Sequence, residues 1–221
     1  MELIPPRTGE VIGDSADRRV EILCDDDALH ATWSRFGPGR KGADLHVHHR
    51  HSDLFYVLEG ELTLLLGADG GTRVAPAGTL VYLPPLVPHG FRNAGEVDVR
   101  YLNFHAPGEG FADYLRGRRD GLEVSFDQAE PPADGGRSPE AARIGEAELV
   151  TNEILVAELR LESGETAPRG DPEARLTCVY VLAGTLALDG VRAEAGTWAR
   201  LDGEEIAGAG PEPVTFLGVH V

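Results

Sequence analysis

Four of the chain's eight histidines fall within six residues, His46, His48, His49 and His51, in the run LHVHHRHSDLFYVLEGE. A carboxylate, Asp53, follows at once, and a fifth histidine, His89, sits in a second patterned run, GTLVYLPPLVPHGFRN. Imidazole and carboxylate are the usual ligands of divalent transition metals. His46 and His48, at i and i+2 on an extended segment, project to one face because side chains alternate with period two. His49 points away from them and is read as solvated. After a turn at Arg50 to Ser52, Asp53 opens the next strand with its carboxylate toward the same interior. Phe55 and Val57 share its parity, and Gly60 supplies the hairpin turn. Pro84, Pro85 and Pro88 make a rigid approach that delivers His89 from a distant strand. Three imidazoles and one carboxylate leave one or two positions open on a five- or six-coordinate ion, which separates a reactive site from a structural one.

These residues need strands to position them, and the sequence supplies them. VEIL (20–23), ATWSRF (31–36), LFYVL (54–58), LTLLL (62–66), TLVYL (79–83) and VRYLNF (99–104) are short apolar, β-branched and aromatic runs between turn signals. EGFADYLRGRRD (109–120) breaks the rhythm: Phe111, Tyr114 and Leu115 lie at i, i+3 and i+4, the stripe of a short helix packing on a core. AEPPADGGRSPEAA (129–142) reads as a linker or long surface crossing. Strand-like runs then resume, and they echo the first half. YVLEGELTLLL (56–66) matches YVLAGTLAL (180–188), APAGTLVYLPP (75–85) matches AEAGTWARLDG (193–203), and VRYLNFH (99–105) resembles the C-terminal FLGVHV. Two copies of one all-β unit, the second with shorter turns, are expected.

The two histidine runs resemble the two motifs of the cupins, and the repeat makes the chain similar to a bicupin. The first motif, G-x5-H-x-H-x3,4-E-x6-G, reads here His46-x-His48-x4-Asp53-x6-Gly60, with the leading glycine displaced to Gly39 or Gly42. The second, G-x5-P-x-G-x2-H-x3-N, reads Gly78-x5-Pro84-x-Leu86-x2-His89-x3-Asn93, with Leu86 the one departure. The resemblance implies two jelly-roll-like β-barrels: an N-terminal one over 1–128, a linker over 129–144, and a degenerate one over 145–221. It implies one divalent ion (Fe, Mn, Ni or Zn) on His46, His48, Asp53 and His89. Asp53 stands where the family has glutamate, so it either ligates or accepts a hydrogen bond in an outer shell, and His51 competes as fourth ligand. In the second copy Gly170, Pro172 and Thr177 fall at the first-motif positions and Ala207 at the His89 position. A metal-free second barrel follows.

The formal net charge of −17 argues against nucleic-acid and anionic-membrane partners. No apolar run approaches the ~18 residues of a membrane helix and no signal-like N-terminal pattern is present, so a cytoplasmic location is the default expectation. Cys24 and Cys178 sit in apolar surroundings as buried free thiols. His30, His105 and His220 lie outside the motifs; we read His30 and His220 as without function and His105 as a strand end.

Fold alone does not choose among cupin activities. The leading expectation is a small-molecule dioxygenase of quercetinase-like type, with Phe55, Phe91, Tyr101 and Asn103 lining the substrate pocket. The alternatives are a non-catalytic metal-dependent binding or sensing module, and a sugar isomerase or epimerase. A homodimer is the expected assembly.

Overall fold

The computed structural model describes residues 1–146, 148–167, 177–201 and 207–221. The first half holds β1 (Glu2–Ile4), β2 (Glu10–Ser15), β3 (Arg18–Asp25), β4 (His30–Phe36), β5 (Ser52–Glu59), β6 (Glu61–Leu66), β7 (Gly71–Pro76), β8 (Leu80–Leu83), β9 (His89–Arg92), β10 (Val99–Ala106) and α1 (Phe111–Arg119). A single 3-10 turn at Pro139–Ala141 leads to β11 (Arg143–Glu146). Then come β12 (Glu148–Val150), β13 (Leu155–Leu161), β14 (Thr177–Ala183), β15 (Thr185–Leu188), β16 (Val191–Glu194), β17 (Trp198–Leu201), β18 (Ala207–Ala209) and β19 (Val214–His220). None of the described helices is long and apolar enough to cross a membrane.

These strands form two compact units, one of Glu10–Glu146 and one of Met1–Gly9 with Ala147–Val221. The first has a seven-stranded sheet in the order β11-β8-β5-β10-β4-β3-β2 and a three-stranded sheet β7-β6-β9. Alternation along β5 sends Phe55 and Val57 inward with Leu62, Leu64, Val81 and Tyr101, and this shared apolar face is its core. Burying each such aliphatic or aromatic side chain stabilises the fold by roughly 2 kcal/mol. The second unit has a six-stranded sheet β1-β17-β14-β19-β13-β12 and a three-stranded sheet β16-β15-β18, around Val181, Leu186, Leu188, Val214 and Phe216.

The echo in the sequence is an echo in hydrogen bonding. Val57 N donates to Thr79 O and Gly78 N to Val57 O in the first unit; Val181 N donates to Thr197 O and Gly196 N to Val181 O in the second. Gly60 and Gly184 occupy equivalent turns at φ 74° and 81°. A Cβ on Gly60 would lie 2.5 Å from Asp98 O, and one on Gly184 2.4 Å from Pro213 O, so both turns exclude every other residue.

One expectation is corrected. The first nine residues, expected with the N-terminal barrel, belong to the second unit, where Leu3 pairs with Ala199 and Ile4 with Trp198 along β17. The stretch expected to be a linker ends in β11, which pairs on β8 (Arg143 with Tyr82). Each half thus gives its leading strand to the sheet built from the other half. An exposed β17 or β8 edge with free N–H and C=O groups is the physical demand those strands meet.

Candidate metal centre

The site lies in the Glu10–Glu146 unit and is assembled by sheet register. His105 of β10 stands directly opposite Asp53 of β5 and also opposite His30 of β4. One row across the sheet therefore carries imidazole, imidazole and carboxylate. His46 is not in a long strand, as expected, but in an isolated bridge to His89: His46 N donates to His89 O at 2.8 Å and His89 N returns to His46 O at 2.9 Å. Val47 bridges Ala129 in the same way, leaving His46 and His48 on one side.

Each of these three imidazoles has its Nδ1 on a backbone carbonyl: His46 on Asp44, His48 on Asp127 and His89 on Val87. A carbonyl only accepts, so each Nδ1 carries the proton and each Nε2 presents a bare lone pair. The Nε2 atoms of His46 and His48 are 3.2 Å apart, and His89 Nε2 lies 3.3 Å from Asp53 Oδ2 without a well-aligned hydrogen bond. Donor atoms of His46, His48, Asp53 and His89 all lie within 4.8 Å of one another, and all four residues are buried. Lone pairs converging on one point repel each other unless a cation lies between them. The orphaned His89 Nε2 and the chemistry of the donor set fit a metal site.

Electrostatics keep the donors ready. Burial, aided by the neighbouring imidazoles His89 and His48, pushes the His46 pKa down to about 3, so the ring is neutral at neutral pH. Burial opposes the Asp53 charge, but His105, whose Nε2 faces Oδ1, outweighs it and holds the carboxyl well below the usual range. Asn103 Nδ2 donates to Asp53 Oδ1 and to Leu54 O, fixing the carboxylate's orientation. A neutral His46 beside an ionised Asp53 is the protonation state that metal binding requires of them.

A second group, His48, His51 and His105, also brings its donor atoms within 4.8 Å. The structure places His51 here, buried against His48 and Phe126, and not on a solvated rim or with the quartet. His105 Nε2 is 3.3 Å from Asp53 Oδ1, and His30 lies beyond it, both buried. The motif reading passed over His30 and His105. The parity of Val99, Tyr101, Asn103 and His105 signals His105, but the pairing of β4 with β10 is needed to find His30. His49 is exposed, with Nδ1 3.0 Å from Asp127 Oδ1.

Asp127 organises the histidine loop. Its Oδ2 accepts from His49 N at 2.9 Å and Arg50 N at 2.8 Å, while its carbonyl holds His48. The Asp127→Ala variant is expected to bind metal about tenfold more weakly with every donor intact, the size of an outer-shell loss; equal affinity in a chelator competition would show the loop to be self-supporting. Leu86, the departure from the second motif, sits at φ 68°, where glycine is favoured. Its N donates to His48 O at 2.8 Å, which holds it there. Leu86→Gly should raise stability by about 1 kcal/mol, since a left-handed L residue costs about 1–2 kcal/mol; an unchanged or lower denaturation midpoint would mean that packing of this side chain outweighs the strain.

Three of the donors, His46, His48 and Asp53, line a cavity of about 410 Å³ whose walls include Phe36, Phe91, Phe111 and Tyr114. Of the expected pocket residues, Phe91 and Asn103 line it. Phe55 and Tyr101 do not: both are buried in the core behind Phe91, with ring centroids 4.9 and 5.9 Å from it. Their inward parity carries them to a deeper layer. The helix stripe of Phe111, Tyr114 and Leu115 both packs on that core and forms a cavity wall. In the second unit, Thr177 faces His220 as Asp53 faces His105, its hydroxyl 3.1 Å from His220 Nδ1. Gly170 and Pro172 lie outside the described residues. Both donor groups found among the described residues belong to the first unit.

Residues 32–105 match the cupin domain family. No curated protein matches the chain by sequence. Among solved structures, the bacterial pirin YhhW of Escherichia coli in complex with nickel(II) is 16% identical, with a TM-score of 0.70 over 100% of this chain and 98% of that one. An oxalate decarboxylase of Bacillus subtilis is 14% identical, with a TM-score of 0.63 over 99% of this chain and 76% of that one. A cupin 2 conserved barrel domain protein from Leptotrichia buccalis is 10% identical, with a TM-score of 0.60 over 95% of this chain and 91% of that one. Likeness at these identities is likeness of fold. Residues 32–105 are thus similar to the cupin domain, and the chain shares its fold with these neighbours.

Proposed function

We propose that the chain is a bicupin whose first barrel holds one divalent metal on His46, His48, His89 and Asp53 and oxygenates a small organic substrate. The observation that carries this reading is the buried donor quartet, three of whose members line a cavity with aromatic walls. An ion there would supply Lewis acidity and, as iron, manganese or nickel, access to oxygen chemistry. The chain's own residues do the rest. Phe91 and Phe111 exclude water, which strengthens electrostatics within the cavity. Asn103 orients Asp53. His105, with Nδ1 unpartnered and its ring on the cavity wall, is placed to take a proton from the substrate. The Thr177–His220 counterpart supports a second barrel without metal.

The test is anaerobic addition of flavonols, diketones and catechols to protein loaded separately with Fe(II), Mn(II) or Ni(II), followed by oxygen. Oxygen uptake with one class, lost in His46→Ala, is the expected result. Tight binding with no uptake across the panel would instead favour a ligand-binding or sensing module, the reading to which a second unit with no donor group among its described residues lends weight.

A further inference from the structure

The cavity wall has the opposite charge balance to the molecule. The chain carries 37 acidic against 20 basic residues, yet Arg18, Arg40, Lys41, Arg118 and Arg119 line the cavity. Asp53, part of the donor quartet, is the only carboxylate among its lining residues. Two of the cations are already matched: Arg40 Nη1 lies 3.0 Å from Asp17 Oδ2, and Arg119 pairs with Glu10 and Asp120 at 2.9 and 2.8 Å. Among the described residues, no carboxylate lies within salt-bridge distance of Arg18, Lys41 or Arg118. Arg18 is half-buried on β3, directly opposite Phe36, itself on the aromatic wall. Burial lowers its pKa but leaves a guanidinium charged. A half-buried cation without a partner costs stability unless something else pairs with it, and a carboxylate matches its fork with two parallel hydrogen bonds.

We infer that the cavity takes an organic carboxylate: its anionic end on Arg18, with Lys41 and Arg118 drawing it in, its flat apolar body between the Phe36–Phe91 and Phe111–Tyr114 walls, and its other end toward His46 and His48. The anion subsite stands on the cavity's charge alone; the direction in which the ligand points rests on the metal reading above. Lys41 is the chain's one lysine, and the unmatched cations supply local attraction within a molecule whose net charge repels anions.

Calorimetric titration of cinnamate and its neutral isostere cinnamamide into metal-free and zinc-loaded protein tests this. Metal-free protein should bind cinnamate about tenfold or more tightly than cinnamamide, the scale of one charge-assisted hydrogen-bonded pair. That preference should weaken with salt, fall to near unity in Arg18→Gln, and fall partly in the exposed Lys41→Gln/Arg118→Gln double variant, which covers the case in which Arg18→Gln does not fold. Equal affinities for acid and amide, binding of neither, or a preference untouched by the variants would overturn the inference. A preference for phenyl phosphate over cinnamate at equal pH would overturn the carboxylate assignment. Metal content, measured on the same samples, keeps the two readings apart. Discrimination without metal uptake would sink only the metal centre, and metal uptake without discrimination only the anion subsite.

Discussion

His89→Ala should cut metal affinity by at least about 100-fold, from roughly one bound ion per chain to none after dialysis against a weak chelator. Losing a direct donor exceeds the ten- to hundredfold cost of losing an outer-shell partner. His89 is the informative choice because its Nε2 is orphaned in the protein's own hydrogen bonding. The metal-free protein should lose about 1–3 kcal/mol, since the substitution removes the Nδ1 bond to Val87 O along with an unsatisfied nitrogen. Metal at a thousandfold excess over its dissociation constant should add about 4 kcal/mol to the stability of the wild type and nothing to the variant. His51→Ala belongs to the other histidine group and should leave binding intact. Were His89→Ala to keep its ion and His51→Ala to lose it, the ion would sit on His48, His51 and His105.

The metal-free protein should unfold in mild acid, between about pH 6 and pH 4, and bound metal should move the transition lower. Burial pushes His46 to about 3 and His51 to about 2. It also lowers His30 and His105. Each folded-state pKa lies below the unfolded value near 6.5. The unfolded chain therefore binds more protons as pH falls through 6.5, and stability drops with it. At pH 5 the loss is about 2 kcal/mol for each of His46 and His51, against a total stability of about 5–15 kcal/mol. His30 and His105 add in the same direction. Asp53, held below its unfolded value, contributes stability that is lost only at lower pH, as the solution passes through about 3.8 toward its folded value. Circular dichroism against pH, with and without zinc, checks both parts. A metal-free protein unchanged down to pH 4 would mean that these rings take up protons without unfolding the chain.

Much of this was legible in the sequence, for reasons particular to each residue. Strands buried on one face announce themselves: VEIL, ATWSRF, LFYVL, LTLLL and VRYLNF all fall inside β3, β4, β5, β6 and β10. β7 escaped because Thr72, Arg73 and Val74 are exposed, and an edge strand facing water has no apolar period to read. His46, His48, Asp53 and His89 were legible because i,i+2 spacing and a proline-framed turn are local features. In the sequence His51 is only a rival fourth ligand and His105 is signalled only by parity; their grouping, and His30 altogether, depends on which strand pairs with which and in what register. Arg18 and Arg118 were invisible for the same reason, separated by a hundred residues of chain and brought together only by the packing of α1 on β2. The aromatic wall was half legible: parity says that Phe55 and Tyr101 point inward but not how deep.

The pairing of β1 on β17 also has a meaning in time. Glu2–Ile4 is the first strand of this sequence to be synthesised, and its partner Trp198–Arg200 comes almost last. Until then β1 has no edge to join, while β2 to β11, whose partners lie within Glu10–Glu146, can close the unit that carries the donor quartet. The unit with the donor quartet can therefore form on the ribosome, and the other must wait until strands on both sides of the first in the sequence have been made.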